Sequence, residues 1–353
     1  MKKRIIVLLL IVASVIATTA IVYAANSGQA DGSNSYDYDV AHEPSMRDMV
    51  ETTNCTETQF ALLQELMRGG GIMPFSFDGE YVDAPRINLI VPPEGNRNYF
   101  LIGVESEPTE RCIEIILAYA GIPSSLAVVA KAVGTREFNP YAFIDYNYEI
   151  PLSEESEYIE PVPFGTYSMG TRVRLAGIDA ALTMGHPTCI NGTSFLLAIH
   201  SNSSAHLGRH VYLFGTNTRI GYISRVYFEP RRDIAIVNMI GSHRVMPFID
   251  GGMISDFRAR ASIHDSTLSP RGFSPWHWGH VSSLSATGRF PGDPFYFEHK
   301  IAVSPNGNSI EGDSGTGLIR RMSSTDRAVL GTRSGRFVLN GVQVGIYTHV
   351  LNY

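Results

Sequence analysis

The sequence predicts a mostly β protein, in which an antiparallel barrel or sandwich follows a small α/β module. Of the 353 residues, 44% are apolar and 18% are charged, which is enough apolar material for a sizeable core. After Pro163, short β-prone runs alternate with Gly, Asn and Pro, and long helical periodicity is absent. Between residues 50 and 135, by contrast, helical and strand periodicities alternate.

The N-terminal residues differ from the rest of the chain. A basic segment, residues 2–4, precedes an apolar run over residues 5–23, so residues 1–25 are predicted to be an export signal. Because the run approaches the length that crosses a bilayer, membrane anchoring through residues 5–23 is the alternative. Both interpretations predict a secreted or extracellular protein, or one anchored at the cell surface. Residues 26–45 are rich in Ser, Asn, Asp and Gly and are predicted to be a flexible linker.

Residues 46–160, called here the front half, are predicted to form an acidic α+β module. The pattern indicates strand, strand, helix, strand, preceded by a helix that stops at three glycines. The predicted elements are a helix at 56–68, strands at 86–92 and 99–105, a helix with the apolar face Ile113, Ile116, Leu117 and Ala120, and a strand at 126–133.

Charge is distributed unevenly along the chain. Residues 25–160 carry 23 acidic and 7 basic side chains, a net charge of −16, whereas the chain from Pro161 onward has a net charge of +7. Such a difference suits an acidic module held against a basic domain. The arginines of the basic part are dispersed and lack the aromatic-plus-basic modules that bind strands, so no nucleic acid is expected as a partner.

Cysteine and histidine usage argues against a metal site. The three cysteines allow at most one intramolecular disulfide, and their spacing fits no zinc pattern. The histidines are scattered along the chain. We therefore expect no structural metal and no cofactor.

Ser314 lies in Glu311-Gly312-Asp313-Ser314-Gly315-Thr316-Gly317. Glycines on both sides of a serine permit a sharp turn whose N–H groups point at one spot, where an oxyanion is stabilised. We expect Gly312 and Ser314 to donate those N–H groups. The alternative is an ordinary Gly/Ser turn.

A serine hydroxyl becomes a nucleophile only beside a base that a carboxylate orients. His186 ends the run Ala181-Leu182-Thr183-Met184-Gly185, and Asp233 begins a core-strand pattern over residues 232–237. A lone histidine is more often a structural hydrogen-bonding group, and a lone aspartate before a strand is more often a turn residue. In combination, the sequence predicts His186, Asp233 and Ser314 as catalytic base, orienting acid and nucleophile.

These segments resemble the chymotrypsin-like serine peptidases, and most closely their bacterial streptogrisin and alpha-lytic branch. The resemblance rests on LTMGH, RDIAIV, EGDSGTG, the strand pair from Gly279 to Val303, and the tail VGIYTHVLNY. Their order along the chain separates this family from other folds with the same three side chains. For residues 161–353 the resemblance implies a trypsin-like peptidase domain of two antiparallel six-stranded β-barrels, with the three residues in the cleft between them.

The resemblance also implies a substrate pocket. Its residues correspond to Asn308, Ser309, Ser334, Gly335 and Gly345. The neutral Asn308 on the pocket floor argues against a strict preference for Lys or Arg. Arg333 nearby either favours acidic substrate side chains or points to solvent.

The sequence as a whole predicts a secreted serine endopeptidase that acts on polypeptides through an acyl-enzyme. The front half is predicted to be a pro-region, an intramolecular partner that assists folding of the peptidase domain or inhibits it. The alternative is a retained N-terminal domain that binds another molecule. Asp313 is expected to need a buried cationic partner, either a new N-terminus or an arginine. A catalytically silent trypsin-like binding protein remains the alternative function. An esterase is disfavoured because residues 312–316 do not fit G-x-S-x-G.

Overall fold

The computed structural model describes residues 46–69, 76–77, 80–81, 86–136, 165–178, 181–200, 204–270, 277–304 and 313–353. The predicted export signal and linker lie outside these ranges, as does the predicted boundary near Glu160. No helix in the described ranges is long and apolar enough to cross a membrane. The chain divides into two compact units, Met1–Glu51 and Thr52–Tyr353, and every described strand belongs to the second.

The front half contains the predicted helix, strand, strand, helix and strand in that order, with two further strands of two residues each after the first helix. The second helix is capped at its start by the Thr109 side chain, which accepts a hydrogen bond from the backbone N–H of Cys112 (3.2 Å). Gly121, at φ +63°, ends it in the left-handed conformation that favours glycine. The elements are α1 (Met46–Arg68), β1 (Ser76–Phe77), β2 (Glu80–Tyr81), β3 (Ile87–Val91), β4 (Phe100–Val104), α2 (Glu110–Ala120) and β5 (Ala127–Thr135).

The middle of the chain forms the first barrel, a six-stranded antiparallel sheet in the order β8-β7-β10-β11-β12-β9. The sheet closes where the N–H of Gly185 donates to the carbonyl of Leu196 (2.9 Å) and Pro187 bridges Phe195. The strands of this region are β6 (Thr166–Tyr167), β7 (Arg172–Leu175), β8 (Leu182–Thr183), β9 (Ser194–Leu197), β10 (His210–Leu213), β11 (Arg219–Glu229), β12 (Arg232–Met239), β13 (Arg244–Val245), β14 (Phe248–Ile249) and β15 (Gly252–Asp256).

The C-terminal part forms the second barrel. Its strands pair in a closed circle, antiparallel throughout, in the order β16, β17, β18, β21, β20, β19 and back to β16. The predicted pair of six-stranded barrels is thereby confirmed. The strands are β16 (Ser266–Ser269), β17 (His277–Gly288), β18 (Phe297–Ser304), β19 (Gly317–Arg321), β20 (Asp326–Leu339) and β21 (Val342–His349).

The front half is joined to the second barrel by backbone hydrogen bonds. Strand β3 pairs with the end of β17, and β5 pairs antiparallel with residues 336–339 at the end of β20. A further closed ring thus runs through β17, β3, β4, β5, β20, β21 and β18. Its interior mixes the two parts, since Leu89 and Ala132 of the front half share one apolar core with Phe337 and Ile346.

Candidate active site

Ser314 lies in the turn that precedes β19 and is 0% exposed. Gly315, at φ +96°, needs the conformational freedom of glycine, and a Cβ there would lie 2.7 Å from the carbonyl oxygen of Thr183. The N–H of Gly315 donates to the carbonyl of Arg333 (3.0 Å), which fixes the turn to β20. Gly312, the other predicted N–H donor, lies outside the described residues.

Asp233 is the second residue of β12 and is 3% exposed. Its Oδ1 accepts a hydrogen bond from the backbone N–H of His200 (3.2 Å), and its Oδ2 lies 2.7 Å from Nδ1 of the same residue. The carboxylate is therefore held against His200 from two sides.

His200 connects Asp233 to Ser314. Its Nε2 lies 2.8 Å from the Ser314 hydroxyl, and the residue is 2% exposed. Its backbone has φ +52°, a left-handed conformation that is strained for a histidine and that clusters at functional sites. The hydroxyl, the imidazole and the carboxylate thus form one continuous hydrogen-bonded chain.

His186, the histidine predicted for this position, contacts neither Asp233 nor Ser314 through its side chain. Its Nδ1 donates to the carbonyl of Pro187 (2.9 Å), and its Nε2 lies 3.4 Å from the Thr332 hydroxyl. Its ring stacks on that of Tyr353 at 6.0 Å between centroids. The prediction that His186 lies between Asp233 and Ser314 is therefore wrong. The histidine in that position is His200.

The segment before His186 has a packing role that explains its sequence. A Cβ on Gly185 would lie 2.5 Å from the carbonyl oxygen of Gly315 and 2.6 Å from that of Leu196. Glycine there allows the Ser314 turn and strand β9 to approach each other. His186 itself is 1% exposed, and burial lowers its pKa to about 4, so its ring stays neutral at physiological pH.

Arg136 follows β5 directly and reaches into the same site from the front half. Its Nη1 donates to Oδ2 of Asp233 and to the carbonyl of Ser334 (2.8 Å), and it lies 2.7 Å from Nδ1 of His200. Its Nε and Nη2 donate to the two carboxylate oxygens of Asp293. Neither Arg136 nor Asp293 was predicted from the sequence to lie at the site.

These charges shift one another's ionisation. Burial alone would raise the pKa of Asp233, but His200 and Arg136 together hold it well below its usual range. Burial lowers the pKa of His200; the Asp233 carboxylate opposes that shift, and the Arg136 cation adds to it. Burial raises the pKa of Asp293 although Arg136 opposes the effect. The imidazolium form of His200 is therefore disfavoured while Arg136 is present.

A buried lysine lies behind the site. Lys300 is 1% exposed, and its Nζ donates to the Thr348 hydroxyl (2.5 Å), which in turn lies 3.0 Å from the Ser334 hydroxyl. Burial lowers the pKa of Lys300 to about 7 even though the Asp233 carboxylate favours its charged form.

The predicted pocket residues are described in part. Ser334 and Gly335 lie on β20 beside Arg136, and Gly345 lies on β21, paired with Val303 and Arg336. Asn308 and Ser309 lie outside the described residues.

Arg333 does not point to solvent, because it is 0% exposed and its Nη1 donates to the Tyr347 hydroxyl (3.1 Å). The solvent-facing alternative is therefore wrong, while a preference for acidic side chains stays a prediction.

Asp313 has an arginine in its surroundings. It is 0% exposed, and its carboxylate interacts electrostatically with Arg172 of β7, favouring the charged form of that guanidinium against the burial that lowers its pKa. An arginine thus lies within electrostatic reach of Asp313, while the choice between an arginine and a new N-terminus as its buried partner stays a prediction. Cys112 and Cys189 are both free thiols.

A signal for His200 was present in the sequence. Phe195 to Ile199 is an apolar run that ends in a histidine, as is the run before His186. Nothing in either run shows which histidine faces a carboxylate 33 residues further along the chain. Arg136 carried no recognisable signal, since a single arginine after a strand is ordinary.

Comparison with known proteins finds similarity in structure and none in sequence families. No family model matches the chain, and no curated protein matches it. Similar solved structures are a chymotrypsin from Cellulomonas bogoriensis (17% identity, TM-score 0.41, covering 53% of this chain and 92% of that one) and a protease from Nocardiopsis (18%, 0.42, 53% and 93%). Protease A of Thermobifida fusca is similar at 18% identity and a TM-score of 0.41, covering 53% of this chain and 92% of its own. Over about half of its length, the chain is thus similar in structure to bacterial chymotrypsin-like serine proteases.

Proposed function

We propose that the chain is a secreted serine endopeptidase with Ser314 as nucleophile, His200 as base and Asp233 as orienting acid. One observation carries the proposal: the His200 imidazole lies within hydrogen-bonding distance of both other groups. Its Nε2 is 2.8 Å from the Ser314 hydroxyl, and its Nδ1 is 2.7 Å from the Asp233 carboxylate. His200 thereby takes the role that was predicted from the sequence for His186.

The geometry supports acyl transfer in two steps. As Ser314 Oγ attacks the carbonyl carbon of a peptide bond, Nε2 of His200 takes the hydroxyl proton and later passes it to the leaving amine. The acyl group stays on Ser314 until water, deprotonated by the same nitrogen, releases it as a carboxylate. Asp233 keeps the proton on Nδ1, so that Nε2 is free to accept.

Polypeptides suit the surroundings of Ser314. The edge of β20 is paired with β19 up to Thr332 and with β5 from Arg336 onward, and the Arg333 backbone is bonded to Gly315 and Thr316 of the Ser314 turn. This leaves Ser334 and Gly335 between them, where Arg136 occupies the Ser334 carbonyl (2.8 Å) and a substrate would replace it. An extended peptide can add to such an edge through its backbone. The N–H groups of Ser314 and Gly312 remain the proposed oxyanion donors.

The front half is proposed to be an intramolecular inhibitor and folding partner. Strand β5 occupies the end of β20, Arg136 contacts both His200 and Asp233, and Ser314 is 0% exposed. The net charge of −16 over residues 25–160 against +7 from residue 161 onward supports the same pairing.

Labelling with a serine-directed fluorophosphonate tests the proposed function. The purified full chain, before and after limited proteolysis, is compared with Ser314→Ala. We expect a label on Ser314 that increases after proteolysis, and hydrolysis of an unfolded protein substrate that follows the label. Equal labelling of wild type and Ser314→Ala would contradict the nucleophile, and labelling without any hydrolysis would favour the silent binding protein.

A further inference from the structure

The side chain of Arg136 occupies a site built from residues of the two barrels. Its guanidinium forms a fork on Asp293, with Nε donating to Oδ1 (3.2 Å) and Nη2 donating to Oδ2. The Cζ atom of the guanidinium lies over two aromatic rings, 4.2 Å from the ring centroid of Phe290 and 5.6 Å from that of Phe228. Only 10% of the Arg136 side chain is exposed.

We propose that Asp293, Phe290 and Phe228 form a guanidinium site beside Ser314, and that an arginine side chain held there stops His200 from acting as base. The inference rests on the proposed function, because it names the ligand chemistry that regulates the same site.

The contacts select a guanidinium over an ammonium group. A planar fork matches both oxygens of Asp293, its delocalised face stacks on Phe290, and its remaining nitrogen donates to the Ser334 carbonyl (2.8 Å). A lysine ammonium is a compact charge that can satisfy neither the two-point contact nor the stacking.

An arginine in this position opposes proton transfer to His200 through its charge and its contact with Asp233. Nη1 of Arg136 donates to Oδ2 of Asp233, the oxygen that Nδ1 of His200 also approaches, and it lies 2.7 Å from Nδ1 itself. The two hydrogens of Nη1 donate to Oδ2 of Asp233 and to the Ser334 carbonyl, so no hydrogen of Nη1 remains for Nδ1. When His200 takes the proton of Ser314 its ring becomes a cation, and Arg136 both repels that charge and occupies the Asp233 oxygen that would stabilise it.

The residues that hold Arg136 do not belong to the front half. Asp293, Phe290 and Phe228 all follow residue 160, whereas Arg136 is delivered by β5. Asp293 is 5% exposed, and a carboxylate buried to that degree without a counter-ion is costly. The vacated site therefore takes up the arginine side chain of another peptide, including that of a released front half.

Binding of a small arginine derivative to the full-length Arg136→Ala variant tests the site. The probe is Nα-acetyl-arginine amide, and the neutral Nα-acetyl-citrulline amide of the same shape is the control. By calorimetry we expect the arginine probe to bind at least about 10-fold more tightly than citrulline, and Asp293→Asn in the same background to remove the difference. Equal affinities for the two probes overturn the proposal.

The same variant links binding to inhibition. We expect fluorophosphonate to label Ser314 faster in Arg136→Ala than in wild type, and the arginine probe to slow that labelling while citrulline does not. If the probe binds without slowing the label, the inhibitory part of the proposal is wrong. If Ser314→Ala labels equally, the proposed function fails, whereas the calorimetric result still decides the guanidinium site.

A second variant tests the proposal independently, in case Arg136→Ala misfolds. Asp293→Asn in the otherwise unchanged chain weakens the anchor of Arg136, so labelling of Ser314 should rise about 10-fold. The matched control is Asp265→Asn, which removes another partly buried ion pair, with Arg320 at 2.8 Å, away from Ser314. The proposal is overturned if the labelling rate of Ser314 rises in neither Asp293→Asn nor Asp265→Asn, or rises equally in both.

Discussion

His200 is held by contacts at both ring nitrogens and at its backbone. Its N–H binds Oδ1 of Asp233, its ring bridges Asp233 and Ser314, and its backbone adopts φ +52°. Strain of this kind persists only where the surrounding structure enforces it. These contacts belong to His200 and not to His186. We therefore expect replacement of the two histidines to have different effects.

Replacement of each histidine distinguishes their roles. We expect His200→Ala to lower the rate of Ser314 labelling and of peptide hydrolysis at least about 10³-fold, because no other described side chain accepts the hydroxyl proton. His186→Gln should keep both rates within about 10-fold of wild type, since His186 contacts Pro187 and Thr332 instead. The measurement is the labelling rate after limited proteolysis, with circular dichroism to verify folding. Loss of labelling in His186→Gln alone would restore the original assignment.

The burial of His186 has a consequence for how the free energy of unfolding depends on pH. Burial lowers its folded-state pKa to about 4, whereas the unfolded side chain titrates near 6.5. The unfolded state therefore binds more protons, and stability falls as the pH decreases from about 6.5 to about 4. In a Ser314→Ala background, His186→Gln should remove up to about 3 kcal/mol of that decrease. Urea unfolding at several pH values measures it, and identical pH slopes in the two proteins would contradict it.

Strand β5 is the element that connects the front half to the site. Gly134 lies opposite Phe337 of β20, and a Cβ at Gly134 would be 2.6 Å from the Phe337 ring. Its neighbour Val133 is 52% exposed. The two positions thus provide a disruptive substitution and a matched control on the same strand.

Loosening β5 should expose the site. We expect Gly134→Val to destabilise the pairing by about 1–3 kcal/mol through overpacking, and consequently to increase labelling of Ser314 in the full chain. Val133→Ala should leave the labelling rate near that of wild type. If Gly134→Val lowers the melting temperature but leaves labelling unchanged, β5 is structural and does not restrict access to Ser314.

At the scale of the whole molecule, one of the apolar cores spans the predicted domain boundary. Leu89, Val91 and Ala132 pack in the same cluster as Phe337 and Ile346. Removal of the front half leaves that part of the second barrel exposed to water, which is unfavourable by roughly 25 cal/mol per Å² of apolar surface.

Expression of residues 161–353 alone tests this dependence. We expect the fragment to fold slowly or aggregate, and residues 46–160 added as a separate chain to increase the yield of folded, labelled protein. The yield is measured by size-exclusion chromatography and fluorophosphonate labelling. Unaided folding into an active enzyme would contradict a folding role and favour a retained binding domain.

Much of the fold was predictable because strands and helices leave local patterns. The apolar runs at 86–92, 99–105 and 126–133 became β3, β4 and β5, and the short runs after Pro163 became the barrels. Ser314 and Asp233 were identifiable because a glycine-flanked serine and an acid at the head of a strand are local features as well. The structure brings both of these residues to the candidate site.

Contacts between distant parts of the chain select the histidine and the arginine that join these two residues. His186 and His200 both end apolar runs, and the choice depends on contacts with residues 33 and 114 positions away from His200. Arg136 lies 97 positions from Asp233 and reaches it because β5 pairs with β20. Short-range patterns in the sequence were sufficient to predict the strands, the proposed acid and the proposed nucleophile. The proposed base and the guanidinium beside it depend on barrel closure and strand pairing, which no local pattern encodes.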